Sequence, residues 1–187
     1  MAKKLSDMTL EELWRLFPIL LTPHQACWKD WYQEEETLLK TALPDGVKFH
    51  HIGSTSLTEI WAKPIVDILV EVPAGAPLST YQDRIVQCGY LRMSAEKDRI
   101  SFNKGYTEQG FAERVFHLHL RYVGDCDELY FRDYLKENPD IAKAYEELKL
   151  GLWKEYEHNR DGYTNAKTEF IQKYTNLAKE KYSNRYE

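Results

Sequence analysis

His51-Ile52-Gly53-Ser54-Thr55-Ser56, followed by Ala62-Lys63-Pro64-Ile65-Val66-Asp67-Ile68-Leu69-Val70-Glu71-Val72, is the stretch on which the fold turns. Val47 to Ile52 has the composition of a short strand, and it stops at Gly53 to Ser56, a small-residue turn able to bring backbone amides close to a ligand. The turn has a plainer reading as well, a tight corner whose hydroxyls cap it. Ile65 to Val72 is rich in β-branched residues and bounded by Pro73, which predicts a second strand. Period two puts Val66, Ile68, Val70 and Val72 on one face, and Asp67 and Glu71 on the other with Ile65 and Leu69. A carboxylate desolvated in such a strand is expensive without a partner. Asp67 therefore calls for Lys63, a histidine or a divalent metal, unless an ordinary ion pair or a solvated sheet edge satisfies it. Glu71 lies about 13 Å farther along an extended strand, too far to share one metal with Asp67, and reads as a surface residue.

Working outward, Val115 to Tyr122 is the cleanest alternation in the chain. Phe116, Leu118, Leu120 and Tyr122 would pack inward and leave His117, His119 and Arg121 aligned opposite. Arg99 to Lys104 predicts another strand, and Leu78 to Cys88 a helix stopped by Gly89. The flanks are helical. Thr9-Leu10-Glu11-Glu12 has the form of a capping box. Thr22-Pro23-His24-Gln25 predicts an N-cap with proline at the first helical position, opening a helix that runs to about Leu43. Beyond the strands, helices are expected from Asp127 through Leu135, from Asn138-Pro139 onward, and from about Asp161 or Gly162 to Lys181. The expectation is one α+β domain over residues 1–187. A helical segment (1–45) leads into a core with a small mixed β-sheet (46–123), and C-terminal helices (124–187) follow.

The 187 residues carry 25 Lys and Arg against 30 Asp and Glu, a net charge of -5. An acidic total disfavours extended nucleic acid and membrane surfaces as partners. The three segments net -3, +1 and -3, so the middle one, which also holds four of the six histidines, is best suited to an anion. No apolar run approaches the ~20 residues of a bilayer span. Met1 to Glu12 has no apolar stretch like a secretion signal, and the expectation is a cytoplasmic protein. Cys27, Cys88 and Cys126 are odd in number and widely spaced, unlike a zinc ribbon or a disulfide framework. Most of the five Trp and thirteen Tyr fall at helical spacing and are expected to pack.

Together, His51 to Ser56 and Ala62 to Val70 resemble the H-I-G-S-T-[AS] and A-K-P-[IV]-[IV]-D-[IL]-L-V signature of the GrpB family. The resemblance continues in Arg114-Val115-Phe116-His117-Leu118-His119-Leu120, Phe131 to Leu135, Tyr145 to Lys149 and Tyr163 to Lys167. It implies a nucleotidyltransferase-like fold. In active nucleotidyltransferases the Gly-Ser turn binds a triphosphate, and two carboxylates spaced D-x-[DE] hold Mg²⁺. Asp67 matches the first carboxylate, but Leu69 stands at the second.

These residues predict a phosphate-bearing small-molecule ligand, a nucleotide first, between the Gly53 to Ser56 turn and the His117/His119 strand. Gly53, Ser54, Thr55, Ser56, Lys63, Arg121 and Arg132 are the expected ligand contacts, and Asp67, His117 and His119 the expected catalytic groups for nucleotidyl or phosphoryl transfer. The expected metal ligands are Asp67, His51, His117 and His119, for Mg²⁺ or Mn²⁺ ahead of Zn²⁺. Two alternatives stand beside this: a non-catalytic binding module related to nucleotide or coenzyme A metabolism, for which Leu69 speaks, and a hydrolase with a histidine-cluster metal. The substrate and the oligomeric state are not set by the sequence.

Overall fold

Five strands form one mixed sheet in a computed structural model that describes residues 3–183 and 185–186. In chain order the elements are α1 (Leu10–Leu16), α2 (Cys27–Ala42), β1 (Lys48–Ile52), β2 (Val66–Val72), α3 (Leu78–Gln87), β3 (Leu91–Ala95), β4 (Arg99–Thr107), β5 (Gly110–Tyr122), α4 (Asp127–Glu137), α5 (Pro139–Trp153), α6 (Arg160–Ala166) and α7 (Thr168–Tyr182). The strand order is β1-β2-β5-β4-β3, with β2 and β5 parallel and every other pair antiparallel. This is the expected α+β arrangement of a small mixed sheet between N- and C-terminal helices.

The sheet has two unlike faces. Val66, Ile68, Val70, Phe116, Leu118 and Leu120 point to one side and pack with Trp28 and Leu39 of α2 and Tyr81 and Ile85 of α3. Each of these apolar side chains contributes about 1.5–3 kcal/mol on burial, so this face is the main core. The opposite face is divided. Ile52 and Leu69 pack under Leu129 of α4 and Ala178 of α7, while Asp67, His117 and His119 remain partly open beside them. A third cluster, Leu57, Ile60, Leu135, Ala142 and Tyr145, fixes α4 and α5 to the loop after β1. Loop and helices thereby roof the polar half of the sheet.

Several boundaries differ from the sequence reading for identifiable reasons. The second helix begins at Cys27, not at Thr22. Thr22 instead forms an antiparallel bridge with Ala62, exchanging N–H to O bonds of 2.9 and 3.0 Å. Its backbone is used to hold the chain before β2 and is not free to start a helix. The single C-terminal helix is two, α6 and α7, interrupted at Lys167, whose N–H bonds back only three residues to Thr164. β3 is not among the expected strands: Leu91, Met93 and Ala95 do alternate with Arg92 and Ser94, but the run is only five residues long and all five side chains are exposed, so its pattern marks no buried face. Among the described residues no helix is long and apolar enough to cross a membrane, and Cys27, Cys88 and Cys126 are free thiols.

Candidate functional site

The parallel β2–β5 pair sets Asp67 opposite His117 and Leu69 opposite His119, and the period of two sends the carboxylate and both imidazoles out of one face. Asp67 Oδ1 lies 3.3 Å from His117 Nδ1 and 3.8 Å from His119 Nε2. Burial pushes the Asp67 carboxyl up, but hydrogen bonds from His117 and His119 outweigh it and hold the group well below the usual carboxylate range. Burial also pushes His117 down, against the pull of Asp67. The neutral ring that results has a definite tautomer. Arg160 donates to the Tyr106 hydroxyl at 3.1 Å, and that hydroxyl is 2.8 Å from His117 Nε2. With its oxygen already accepting, Tyr106 gives its proton to Nε2, which leaves the Nδ1–H of His117 directed at Asp67. Arg160, Tyr106, His117 and Asp67 thus form one directed chain.

Gly53 explains how the turn reaches this carboxylate. Its φ is +69°, and a Cβ there would collide with the Asp67 side chain. Only a residue without one lets the backbone lie so close. Within the turn, Ser56 Oγ donates to the Gly53 carbonyl at 2.6 Å, and Thr55 Oγ1 is 2.9 Å from His51 Nε2. Those two hydroxyls close the turn on itself, as the plainer reading of this segment has it. Ser54 is different: its Oγ accepts from Lys149 Nζ at 3.0 Å.

Lys149 is one of three lysines that meet here. Lys63 precedes β2, Lys149 lies on α5, and Lys167 occupies the break between α6 and α7. All three line a cleft of about 330 Å³ with Ser54, Asp67, His117, His119 and Tyr163. Lys149 also donates to the Trp61 carbonyl. Lys149 and Lys167 stand over the rings of Tyr145 and Tyr163 at 4.9 and 4.2 Å from their centroids, each a Tyr–Lys pair at i,i+4 on one helix face. Burial, then the neighbouring lysines, push Lys167 down to about 7. Burial pushes Lys149 to about 7, with Glu146 pulling back and Lys63 adding to the fall. For Lys63, burial and then Arg160 lower it to about 8. The amines lower one another, and the opposing charge of Asp67 on Lys63 and Lys167 and of Glu146 on Lys149 makes up only part of the loss.

The other expected site residues are placed less centrally. His51 pairs with Ile68 across β1–β2, so it points to the α2 face, opposite to Asp67. There it stacks on Tyr32 with centroids 4.8 Å apart, and burial lowers it to about 4. Arg121 is taken up by Glu128, at 2.8 and 2.9 Å, instead of facing the cleft as a free anion contact. Arg132 donates to Asp133 Oδ1 at 2.7 Å and to the His51 carbonyl at 3.0 Å. Glu71, expected at the surface, is 3% exposed and bonds His50 Nε2 at 2.8 Å and the Gly124 amide at 3.1 Å. Lys149, Lys167, Tyr163, Tyr106, Arg160 and Glu128 were not singled out by residue chemistry. Three of these, Lys149, Tyr163 and Lys167, stand in the motifs Tyr145 to Lys149 and Tyr163 to Lys167, and the repeated Tyr-x3-Lys spacing is the signal that would have found the two lysines.

The donors do not make up the expected metal centre. His51 is on the far face, both ring nitrogens of His117 already face Asp67 and Tyr106, and Leu69 is fully buried where a second carboxylate would stand. Among the described residues, no group of three or more His, Cys, Asp or Glu side chains is arranged to hold an ion. Mg²⁺ in particular asks for oxygen ligands in near-octahedral order, and one carboxylate flanked by imidazoles and three amines does not supply them.

Comparison with known proteins places the chain among relatives whose names carry no reaction. The family profile described as GrpB protein matches residues 18–177. The Glutamate-rich protein GrpB of Alkalihalophilus pseudofirmus is 33% identical over 84% of this chain and 94% of its own length. The UPF0157 protein YqkA of Bacillus subtilis is 32% identical over 77% of this chain but only 42% of its own length. The crystal structure of the conserved protein GrpB from Enterococcus faecalis superposes with a TM-score of 0.75 at 33% identity, covering 87% of this chain and 99% of that one. A weaker likeness, TM-score 0.48 at 12% identity over 75% of this chain and 44% of the other, is to the Cid1 poly(U) polymerase bound to MgGTP, and it bears on no ligand of this chain.

Proposed function

The chain belongs to the GrpB protein family, and from its cleft we propose that it binds the phosphate group of a small molecule in the cytoplasm, with Lys63, Lys149, Lys167 and Ser54 as the binding groups. The observation that carries this reading is the convergence of three lysines from three separate elements on one partly closed cleft. Burying amines together costs free energy unless something returns it. A phosphate dianion does so, with charge-assisted hydrogen bonds shorter and stronger than neutral ones. Asp67 and Glu146 offset the cluster only in part: their charge draws Lys63, Lys167 and Lys149 back up, yet burial still holds all three amines below the ordinary lysine value.

The test is calorimetric titration with inorganic triphosphate in EDTA and again in Mg²⁺. Wild type is expected to bind without added metal, and Lys149→Met or Lys167→Met to weaken binding by about tenfold or more, the worth of one hydrogen bond to a charged group. No binding by wild type, or equal binding by both variants, would sink the proposal.

A second reading adds nucleotidyl or phosphoryl transfer. It is favoured by the chain from Arg160 through Tyr106 and His117, an orienting device that a mere anion sink does not need. In this reading Asp67 positions an acceptor hydroxyl in line with the bound phosphate. It requires a product that forms with wild type and is lost in Asp67→Asn while ligand affinity is retained. A ligand that binds wild type and is recovered unchanged leaves the non-catalytic module.

A further inference from the structure

A second cavity, of about 260 Å³, opens from the same turn. It shares Gly53, Ser54, Glu128, Tyr145 and Ile171 with the lysine cleft, so the two adjoin as neighbouring lobes with Ser54 and Glu128 in the wall they share. Their chemistry differs. The second lobe has no lysine, and the one cation on its wall, Arg132, is engaged by Asp133 and the His51 carbonyl; Leu57, Phe131, Tyr145 and Ile171 supply apolar walls, and Gln172 and Asn176 of α7 place amides at its edge beside Asp127. Phe131 and Tyr145 meet edge to face at 5.2 Å, which holds the two rings in fixed orientation. The lobe falls below the range of about 300–1,000 Å³ that houses a whole small-molecule ligand, and is sized for part of one.

Glu128 stands between the lobes in a form that can be used beside an anion. Arg121 grips both of its oxygens, at 2.8 and 2.9 Å, which neutralises the carboxylate and fixes its plane. Each oxygen keeps a second lone pair able to accept from a hydroxyl. Carboxylate acceptors at the midpoint, amines at one end and an apolar slot edged by amides at the other are the complement of a sugar, a phosphate and a flat heterocycle.

We propose that the second lobe takes the nucleoside part of a ribonucleotide, with the base against Phe131, Tyr145 and Ile171, base-edge hydrogen bonds to Gln172 and Asn176, and a ribose hydroxyl donating to Glu128. Arg121 acts through Glu128 as a positioning residue and does not touch the phosphates. This rests on the phosphate reading of the lysine cleft.

The experiment compares inorganic triphosphate with the four ribonucleoside triphosphates and their 2′-deoxy and 3′-deoxy counterparts, on wild type and on Asn176→Trp, which fills the lobe from its exposed rim. At least one ribonucleotide is expected to bind about tenfold tighter than inorganic triphosphate. One of the two deoxy counterparts is expected to lose about tenfold or more, the worth of one hydrogen bond to a charged group. Asn176→Trp should bring that nucleotide down to the level of inorganic triphosphate while leaving the latter unchanged. Circular dichroism and thermal melting establish that the variant is folded, and Gln172→Trp repeats the block from a neighbouring position. If inorganic triphosphate and every nucleotide bind equally to wild type, the inference is overturned and the phosphate site stands. If the blocked, folded variants keep the full nucleotide preference, the base lies elsewhere and the inference fails. If inorganic triphosphate does not bind at all, both readings fall together.

Discussion

At Gly53 the backbone takes a φ of +69° with the Asp67 carboxylate directly over its α-carbon. Two costs would fall on an alanine there: the left-handed conformation itself, and the collision of its Cβ with Asp67. Gly53→Ala is expected to destabilise the fold by about 2 kcal/mol or more in urea unfolding. In an Asp67→Ala background the same substitution should cost less, because the collision with the carboxylate is gone and only the 3.2 Å approach of the two Cβ atoms and the conformational share remain. An equal cost in both backgrounds would mean that the carboxylate does not press on the turn. This pairing of Gly53 with Asp67 was half legible. The strand pattern gave Asp67 its face and its histidine neighbours, since both follow from a period of two. Lys149 and Lys167 were not legible in the same way, because they come from helices far along the chain and stand on faces whose spacing matches packing with Tyr145 and Tyr163. Burial of a lysine leaves no mark on apolar periodicity.

Among elements, α1 shows how a strong local signal can coexist with weak anchoring. Thr9 accepts from the Glu12 amide at 3.2 Å, and Glu12 accepts from the Thr9 amide at 2.7 Å, the complete capping box expected from the sequence. None of the helix's own residues is buried. Its stability is therefore mostly local, and Thr9→Ala should remove about 1 kcal/mol of cap energy from α1 alone. Hydrogen exchange should show faster exchange across Leu10–Leu16 with little change in the global unfolding free energy. A matching fall in global stability would show that α1 is tied into the core. The interruption at Lys167 is the opposite case. A single helix from Asp161 to Lys181 is what local pattern predicts, yet the chain breaks at the residue whose amine must reach the cleft. The break coincides with a cleft residue, a coincidence that the apolar spacing of the segment does not carry.

For the whole molecule, the net charge of -5 hides a buried positive centre. Its linkage to pH has a definite sign. Unfolded, Lys149 and Lys167 keep their protons up to about 10.5; folded, they release them near 7, and Lys63 near 8. Above pH 7 the unfolded chain thus binds more protons than the folded one, and this cluster makes stability rise as pH rises. Below pH 7 all three amines are charged in the fold and their repulsion is at its greatest. Burial raises Cys126 to about 11, an opposite contribution that begins near its ordinary value of 9.0, so the useful window is pH 7 to about 8.5. Lys167→Met is expected to raise the melting temperature of the free protein, by about 3 °C or more at pH 7, and to flatten its rise toward pH 8.5. A phosphate ligand reverses the balance, because a dianion in the cleft favours the charged amines. Binding should take up protons at pH 8, seen as a dependence of the calorimetric heat on buffer ionisation enthalpy, and affinity should fall as pH climbs from 7 to 8.5. Lys167→Met should lose most of this uptake along with the affinity. A free protein that Lys167→Met destabilises, together with binding heats independent of buffer, would place the phosphate somewhere other than among these three lysines.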